Sequence, residues 1–136
     1  MKTLILYYSY TGHTKKIAEE LAASESAELV RISEEERPGK FKAFTVGCFG
    51  AMRGKAWPIK PIGADLNAYD RLIVLSPVWA GNPPPYVHAL FEQLPDGKEV
   101  AVKMISGSGD NNCKGRVESL LKAKNCKLAD FEEIKA

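Results

Sequence analysis

Leu4-Ile5-Leu6-Tyr7-Tyr8-Ser9-Tyr10-Thr11-Gly12-His13-Thr14 is the stretch from which the rest of the chain can be read. Its apolar run is too short to cross a membrane and stops abruptly at Ser9, after which hydroxyl side chains recur at Ser9, Thr11 and Thr14 around one glycine. The pattern predicts a buried strand, a tight turn and the start of a helix.

The first N–H groups of a helix have no partner within it, and the helix dipole places partial positive charge there. Such an end suits a phosphate. Three hydroxyls add hydrogen-bonding capacity, and Gly12 lets the main chain approach closely. The loop holds no Lys, unlike the triphosphate loop GxxxxGK[ST], so the expected ligand is a monophosphate. Ser9 or Thr11 could equally serve as an ordinary helix cap, and spacing alone does not separate the two uses.

Working outward, Ile17, Ala18, Leu21 and Ala22 share one face of a helix predicted over 14–23, with Lys15, Lys16, Glu19 and Glu20 opposite. Residues 28–33 alternate and read as a strand near the sheet edge. The run Glu34-Glu35-Glu36-Arg37-Pro38-Gly39 reads as a solvated turn without chemistry. Phe41, Phe44, Cys48, Phe49 and Met52 recur at helical spacing and are expected to face the core, and Trp57 is read as packing. Leu72-Ile73-Val74-Leu75 forms a second buried strand, closed by Pro77. Asn82 is placed as the cap of a helix whose buried side is Val87, Leu90, Phe91 and Leu94, with His88 at the surface. Residues 99–105 give another strand, Val117, Leu120 and Leu121 line a further helix, and 127–134 is a poorly alternating last strand.

Strands alternating with helices predict an α/β doubly wound three-layer sandwich, a five-stranded parallel sheet in the order 2-1-3-4-5, as a single domain over 1–136. Ligands bind such sheets beyond the strand ends where the order reverses. Three loops should meet there: Ser9 to Thr14, Pro77 to Asn82, and Ser106 to Asn111.

Ser-x-Thr-Gly-x-Thr directly after an N-terminal strand, here with Tyr10 and His13 in the free slots, resembles the FMN-phosphate loop of the flavodoxin family. The resemblance implies FMN as cofactor, held by Ser9, Tyr10, Thr11, Gly12, His13 and Thr14; by Pro77, Val78, Trp79, Ala80, Gly81 and Asn82; and by Ser106, Gly107, Ser108, Gly109 and Asp110. Trp79 would stack on the isoalloxazine, although an aromatic at that place can also simply cover the sheet edge. The peptide joining Ala80 to Gly81 would answer to flavin N5. Ser108 and the amides around Gly107 and Gly109 would meet the ring, and Asp110 a ribityl hydroxyl. No aromatic stands in the third loop, so one flavin face is expected to be open. No side chain need act as acid, base or nucleophile, and no metal is called for. The family's usual last helix is expected to be absent, since only two residues follow Ile134; a homodimer or an altered terminus is expected to protect the sheet face this would leave.

Formal charge is +2 in 136 residues, too mild to imply nucleic acid or an anionic membrane. Cys48, Cys113 and Cys126 make no CxxC pair, and with neither a leader nor a membrane-length segment the expected compartment is the cytoplasm. The leading expectation is a flavodoxin-like electron carrier serving a redox partner protein or a small-molecule acceptor. An NAD(P)H-dependent FMN quinone reductase is the alternative, suggested by the open flavin face and the basic balance, since flavodoxin carriers are generally acidic. A flavin-free phosphate-ligand or interaction module on the same fold is the third. Low-molecular-weight phosphatases share the topology, but their Cys-x5-Arg loop is absent from 8–14.

Overall fold

The computed structural model describes residues 2–107 and 113–135. In chain order the elements are β1 (Thr3–Tyr7), α1 (His13–Glu25), β2 (Glu28–Arg31), α2 (Lys40–Lys42), a π turn (Ala43–Gly47) running into α3 (Cys48–Met52), a 3-10 turn (Leu66–Ala68), β3 (Arg71–Pro77), α4 (Pro85–Glu92), β4 (Glu99–Ser106), α5 (Lys114–Lys122) and β5 (Lys127–Lys135). The five strands pair in parallel in the order β2-β1-β3-β4-β5. The reversal falls between β1 and β3, as the alternation of elements predicts.

β1 and β3 are apolar on both sides because both sides are covered. Leu4, Leu6, Leu72 and Val74 enter the larger core with Val87, Leu90 and Phe91 of α4 and Val117 and Leu121 of α5. Ile5, Tyr7, Ile73 and Leu75 face the other way, against Ile17, Ala18, Leu21 and Ala22 of α1. Each such aliphatic side chain removed from water contributes roughly 1.5–3 kcal/mol before entropy is charged against it. This core fixes the ends of β1 and β3 from which the candidate site is built.

β5 alternates poorly for a reason visible in its register. Val100 pairs with Leu128 but Ala101 pairs with Asp130, so Ala129 is an extra residue and the strand carries a bulge. Leu128 and Phe131, three apart, therefore share the α4–α5 side. Asp130, Glu132 and Ile134 lie on the α1 side opposite Ala101, Lys103 and Ile105, where Lys103 Nζ stands 3.5 Å from a Glu132 carboxylate oxygen. Among the described residues no helix follows β5. This part of the face thus carries an ion pair rather than a bare apolar surface.

Three expectations are corrected. Segment 40–52 turns Phe41, Val46, Phe49 and Met52 outward and buries Ala43, Gly47, Gly50 and Ala51 instead; the Phe44 side chain lies outside the described part. Only small residues fit beneath it, since Trp57, Trp79 and Pro85 already occupy that space: a Cβ on Gly47 would lie 2.7 Å from the Trp79 ring, and one on Gly50 3.3 Å from Pro85 Cγ. Asn82 does not cap α4, whose cap is Pro84; its backbone N–H donates to Trp79 O (3.0 Å) and its carbonyl accepts from Trp79 N–H (2.8 Å). His88 is buried, because α4 is enclosed on all sides and every residue from Pro85 to Phe91 is buried.

Candidate functional site

The loop after β1 turns on Gly12, which caps α1 in the left-handed region (φ 104°) with open space where a Cβ would stand. Its N–H donates to Ser9 Oγ (3.1 Å), and the first helical bond runs from Lys16 N–H to Gly12 O (3.1 Å). The amides of His13, Thr14 and Lys15 precede that bond and so belong to the unsatisfied helix end. Ser9 and Thr14 are buried, whereas Thr11 and His13 are exposed. Ser9 therefore shapes the loop, and no side chain caps the helix.

Two arginines hold this loop from behind. Arg31, at the end of β2, donates from Nη2 to Ser9 O (3.0 Å), and Arg37 donates from Nη2 to Tyr10 O (2.8 Å) while its guanidinium stacks 4.1 Å from the Tyr10 ring centre. The Tyr10 hydroxyl donates to Pro38 O (2.8 Å). Sequence reasoning misses both arginines and gives 34–39 no role. The signal lies in topology: in a 2-1-3 order the carboxyl end of β2 is the neighbour of the loop leaving β1.

The second loop closes on itself. Ala80 (φ 51°) and Gly81 (φ 77°) both take left-handed conformations between the paired residues Trp79 and Asn82, the geometry of a tight two-residue turn. Asn82 Nδ2 also donates to Ala80 O (2.9 Å), so the carbonyl of the Ala80–Gly81 peptide is engaged by its own loop. The turn presents Trp79, seated on Gly47 and edge-on to Tyr8 and Tyr10, with ring centres 6.1 and 5.9 Å away. Tyr86 and Trp57 extend the row of rings inward.

Beneath Trp79, the Tyr8 hydroxyl donates to Glu34 (3.0 Å), and burial, reinforced by that carboxylate, raises the phenol far above its ordinary range. Tyr86 donates to Glu36 O (2.9 Å), and burial together with Glu34 and Glu36 pushes it up to about 12. Both phenols stay protonated at any ordinary pH. They act as fixed donors that hold 34–36 under the site.

Two clefts open along these loops. One, of about 280 Å³, is lined by Tyr10, Thr11, His13, Thr14, Pro77, Trp79, Ile105, Ser106 and Gly107. The other, of about 420 Å³, shares Tyr10, Thr11 and Trp79 with it and adds Val78, Ala80, Lys40, Ala43 and Cys48. The structure thus brings together most of the residues singled out in the sequence. Ser9, Gly12, Gly81 and Asn82 support these clefts without lining them, and Ser108, Gly109, Asp110 and Asn111 lie outside the described residues. Lys40, Ala43 and Cys48 are additions to the sequence reading, in which their helix is expected to face the core.

Cys113 does not act as a thiolate here: burial, with Glu133 adding to it, raises it to about 12. Among the described residues no cluster of His, Cys, Asp and Glu could hold a metal, and no helix is long and apolar enough to cross a membrane. What remains chemically is a helix end with unsatisfied amides beside an aromatic, largely apolar slot.

No protein-family model and no curated protein sequence matches the chain. Solved structures do. A flavoprotein from Lactobacillus acidophilus NCFM, crystallised in complex with FMN, is 28% identical, with 96% of this chain and 91% of that one covered at a TM-score of 0.80. A putative flavoprotein from Bacteroides eggerthii is 22% identical (96% and 86% covered, TM-score 0.82). Two-electron reduced Megasphaera elsdenii flavodoxin is 17% identical (97% and 87% covered, TM-score 0.60). With its strand order and its helices on both sheet faces, this chain has the flavodoxin-like fold.

Proposed function

We propose that the chain binds FMN and works as a flavodoxin-like redox protein. The observation that carries the reading is the adjacency of the two clefts, which share Tyr10, Thr11 and Trp79: one reaches the start of α1 and the other is a largely apolar slot along Trp79. The FMN complex of the Lactobacillus relative supports it.

In this reading the amides of His13 to Lys15 and the hydroxyls of Thr11 and Thr14 take the phosphate, and Arg31 and Arg37 keep the loop open by holding its carbonyls away from the anion. Trp79 offers a flat, weakly polar face and excludes water from one side of the ring. Ser106 and Gly107 border the polar edge. Bound flavin supplies the electron chemistry, and the protein sets its affinity and potential. The Ala80–Gly81 peptide can serve flavin N5 only by giving up its bond from Asn82, so Asn82 sets the cost of that turn.

Titrating flavin-free protein with FMN and with riboflavin tests the assignment. FMN should bind at least a hundredfold more tightly, because riboflavin leaves the helix end unused. Equal affinities, or none, would overturn the reading. Electron carriage to a protein is preferred over direct NAD(P)H oxidation with a quinone; rapid NAD(P)H turnover with such an acceptor would reverse that preference.

A further inference from the structure

Segment 40–52 is inside out. Its large apolar residues are the ones left in water, with Phe41 83% exposed and Val46, Phe49 and Met52 each just over half exposed. The glycine contacts with Trp79 and Pro85 explain why they cannot turn inward; they do not explain why the outward positions are apolar. Surface side chains are free to be polar, and a contiguous exposed apolar patch marks an interaction site.

Charge around the patch is sorted by sign. Residues 37–64 contain six cations, Arg37, Lys40, Lys42, Arg53, Lys55 and Lys60, and no Asp or Glu. All six are exposed. The rest of the chain holds thirteen cations and seventeen anions, so this stretch is the positive one in a nearly neutral protein, with Arg37 partly offset by its ion pair to Glu34 (3.6 Å). One cation is held directly on the patch, Arg53 lying 4.5 Å from the Phe49 ring centre, and Arg116 Nη2 donates to Met52 O (3.0 Å) at its end. Glu35 and Glu36, which share a cleft with Lys42, mark where the positive region ends.

Apolar centre and charged rim are the anatomy of a protein interface, and the sign of the rim selects the partner. The patch is also continuous with the site, because Lys40, Ala43 and Cys48 of the same segment line the cleft that Trp79 walls. We propose that the outer face of 40–52 docks an acidic electron-transfer protein and brings its redox centre to the edge of that cleft, an inference that rests on the redox reading above. A second copy of the chain using the same face would set six cations against six, which like-charge repulsion opposes. An anionic lipid surface would satisfy the charge, but the four exposed apolar side chains form a small patch beside a cleft. That size suits a weak, transient protein contact rather than a helix sunk in lipid.

The test uses a small acidic iron–sulfur carrier protein and vesicles of phosphatidylcholine with one quarter phosphatidylglycerol as probes, on FMN-loaded protein followed by amide NMR. Expected are shifts confined to 40–55 and the Trp79 indole N–H on adding the carrier, and affinity at least tenfold weaker at 300 mM than at 50 mM salt. Arg53→Glu with Lys55→Glu, and separately Phe41→Ser with Phe49→Ser, should each weaken docking at least tenfold while far-UV circular dichroism and FMN affinity stay unchanged. Shifts on another surface, no binding, insensitivity to both double variants, or vesicles that bind more tightly than the carrier would each overturn the proposal. FMN affinity of the parent protein separates the two readings: a parent that binds FMN but not the carrier sinks this one alone, and a parent that binds the carrier but not FMN sinks the cofactor assignment.

Discussion

Gly12 and Gly47 both support residues that line the Trp79 clefts, and they are glycines for opposite reasons. Gly12 has φ 104° and nothing within 4 Å of where a Cβ would stand, so only its conformation excludes a side chain. Gly47 has ordinary helical angles (φ −66°, ψ −46°), and only the Trp79 ring, 2.7 Å from where a Cβ would sit, excludes one. The first frees the backbone to face a ligand; the second lets a helix reach an aromatic. A residue type that looks the same in sequence therefore marks a turn in one place and a contact in the other, and the two roles fail differently.

Replacing Gly47 with Ala is expected to show the largest effect. Alanine would gain up to about 1 kcal/mol of helix propensity, but a rigid ring cannot yield at 2.7 Å, and overpacking costs roughly 1–3 kcal/mol. Lower stability in urea, altered Trp fluorescence and weaker FMN binding should appear together. A G47A protein as stable as its parent would mean that Trp79 is not seated on this glycine.

Gly12→Ala should do less to the fold and act more selectively. Left-handed backbone costs an L-residue about 1–2 kcal/mol, with no clash to add. FMN affinity should drop about tenfold while riboflavin affinity hardly moves, and isothermal calorimetry with both ligands reads the difference. An equal loss for the two would break the link between this glycine and the phosphate.

Gly54 combines both reasons, with φ 71° and a Cβ position 2.6 Å from Arg116 Nη1 and 3.8 Å from His88 Cε1, and it leads to the smallest effect. Among the described residues neither ring nitrogen of His88 meets a well-aligned hydrogen-bond partner, and burial, helped by Arg116 and only partly opposed by the Pro83 backbone, lowers its pKa to about 4. The folded chain keeps this imidazole neutral while the unfolded chain takes up a proton below about pH 6.5. Stability is accordingly full above that value and falls as pH drops towards 4. Between pH 7 and 6 the loss should be somewhat under 1 kcal/mol in urea titrations, and it should vanish in His88→Leu. An unchanged slope in that variant would show that other groups set the acid limit.

These contrasts also mark what can be read without coordinates. Continuous apolar runs at 4–8 and 72–75 and the alternation of strands with helices determine the sheet order, because those features are local and a parallel sheet needs both faces covered. The first loop is legible for the same reason: hydroxyls, glycine and helix start lie within six residues. Segment 40–52 is not. Its periodicity is helical, but which side faces inward depends on Trp57, Trp79 and Pro85, residues that lie beyond it in the chain and fill the space first. Arg31 and Arg37 escape because their partners are 22 and 27 residues away, and the alternation of β5 is hidden by the single extra residue Ala129. Distance along the chain, rather than weakness of the interaction, separates the legible parts from the rest.

The bulge at Ala129 has a use beyond correcting the register. A nine-residue outermost strand turns one row of main-chain groups away from β4, the side on which another strand could add, the usual seed of fibrillar association. A kink near its start, followed by Asp130, Glu132 and Glu133 and closed by Lys135, makes that border a poor template for a flat incoming strand. The irregularity that obscures the last strand in the sequence thereby guards the open rim of the sheet against stacking.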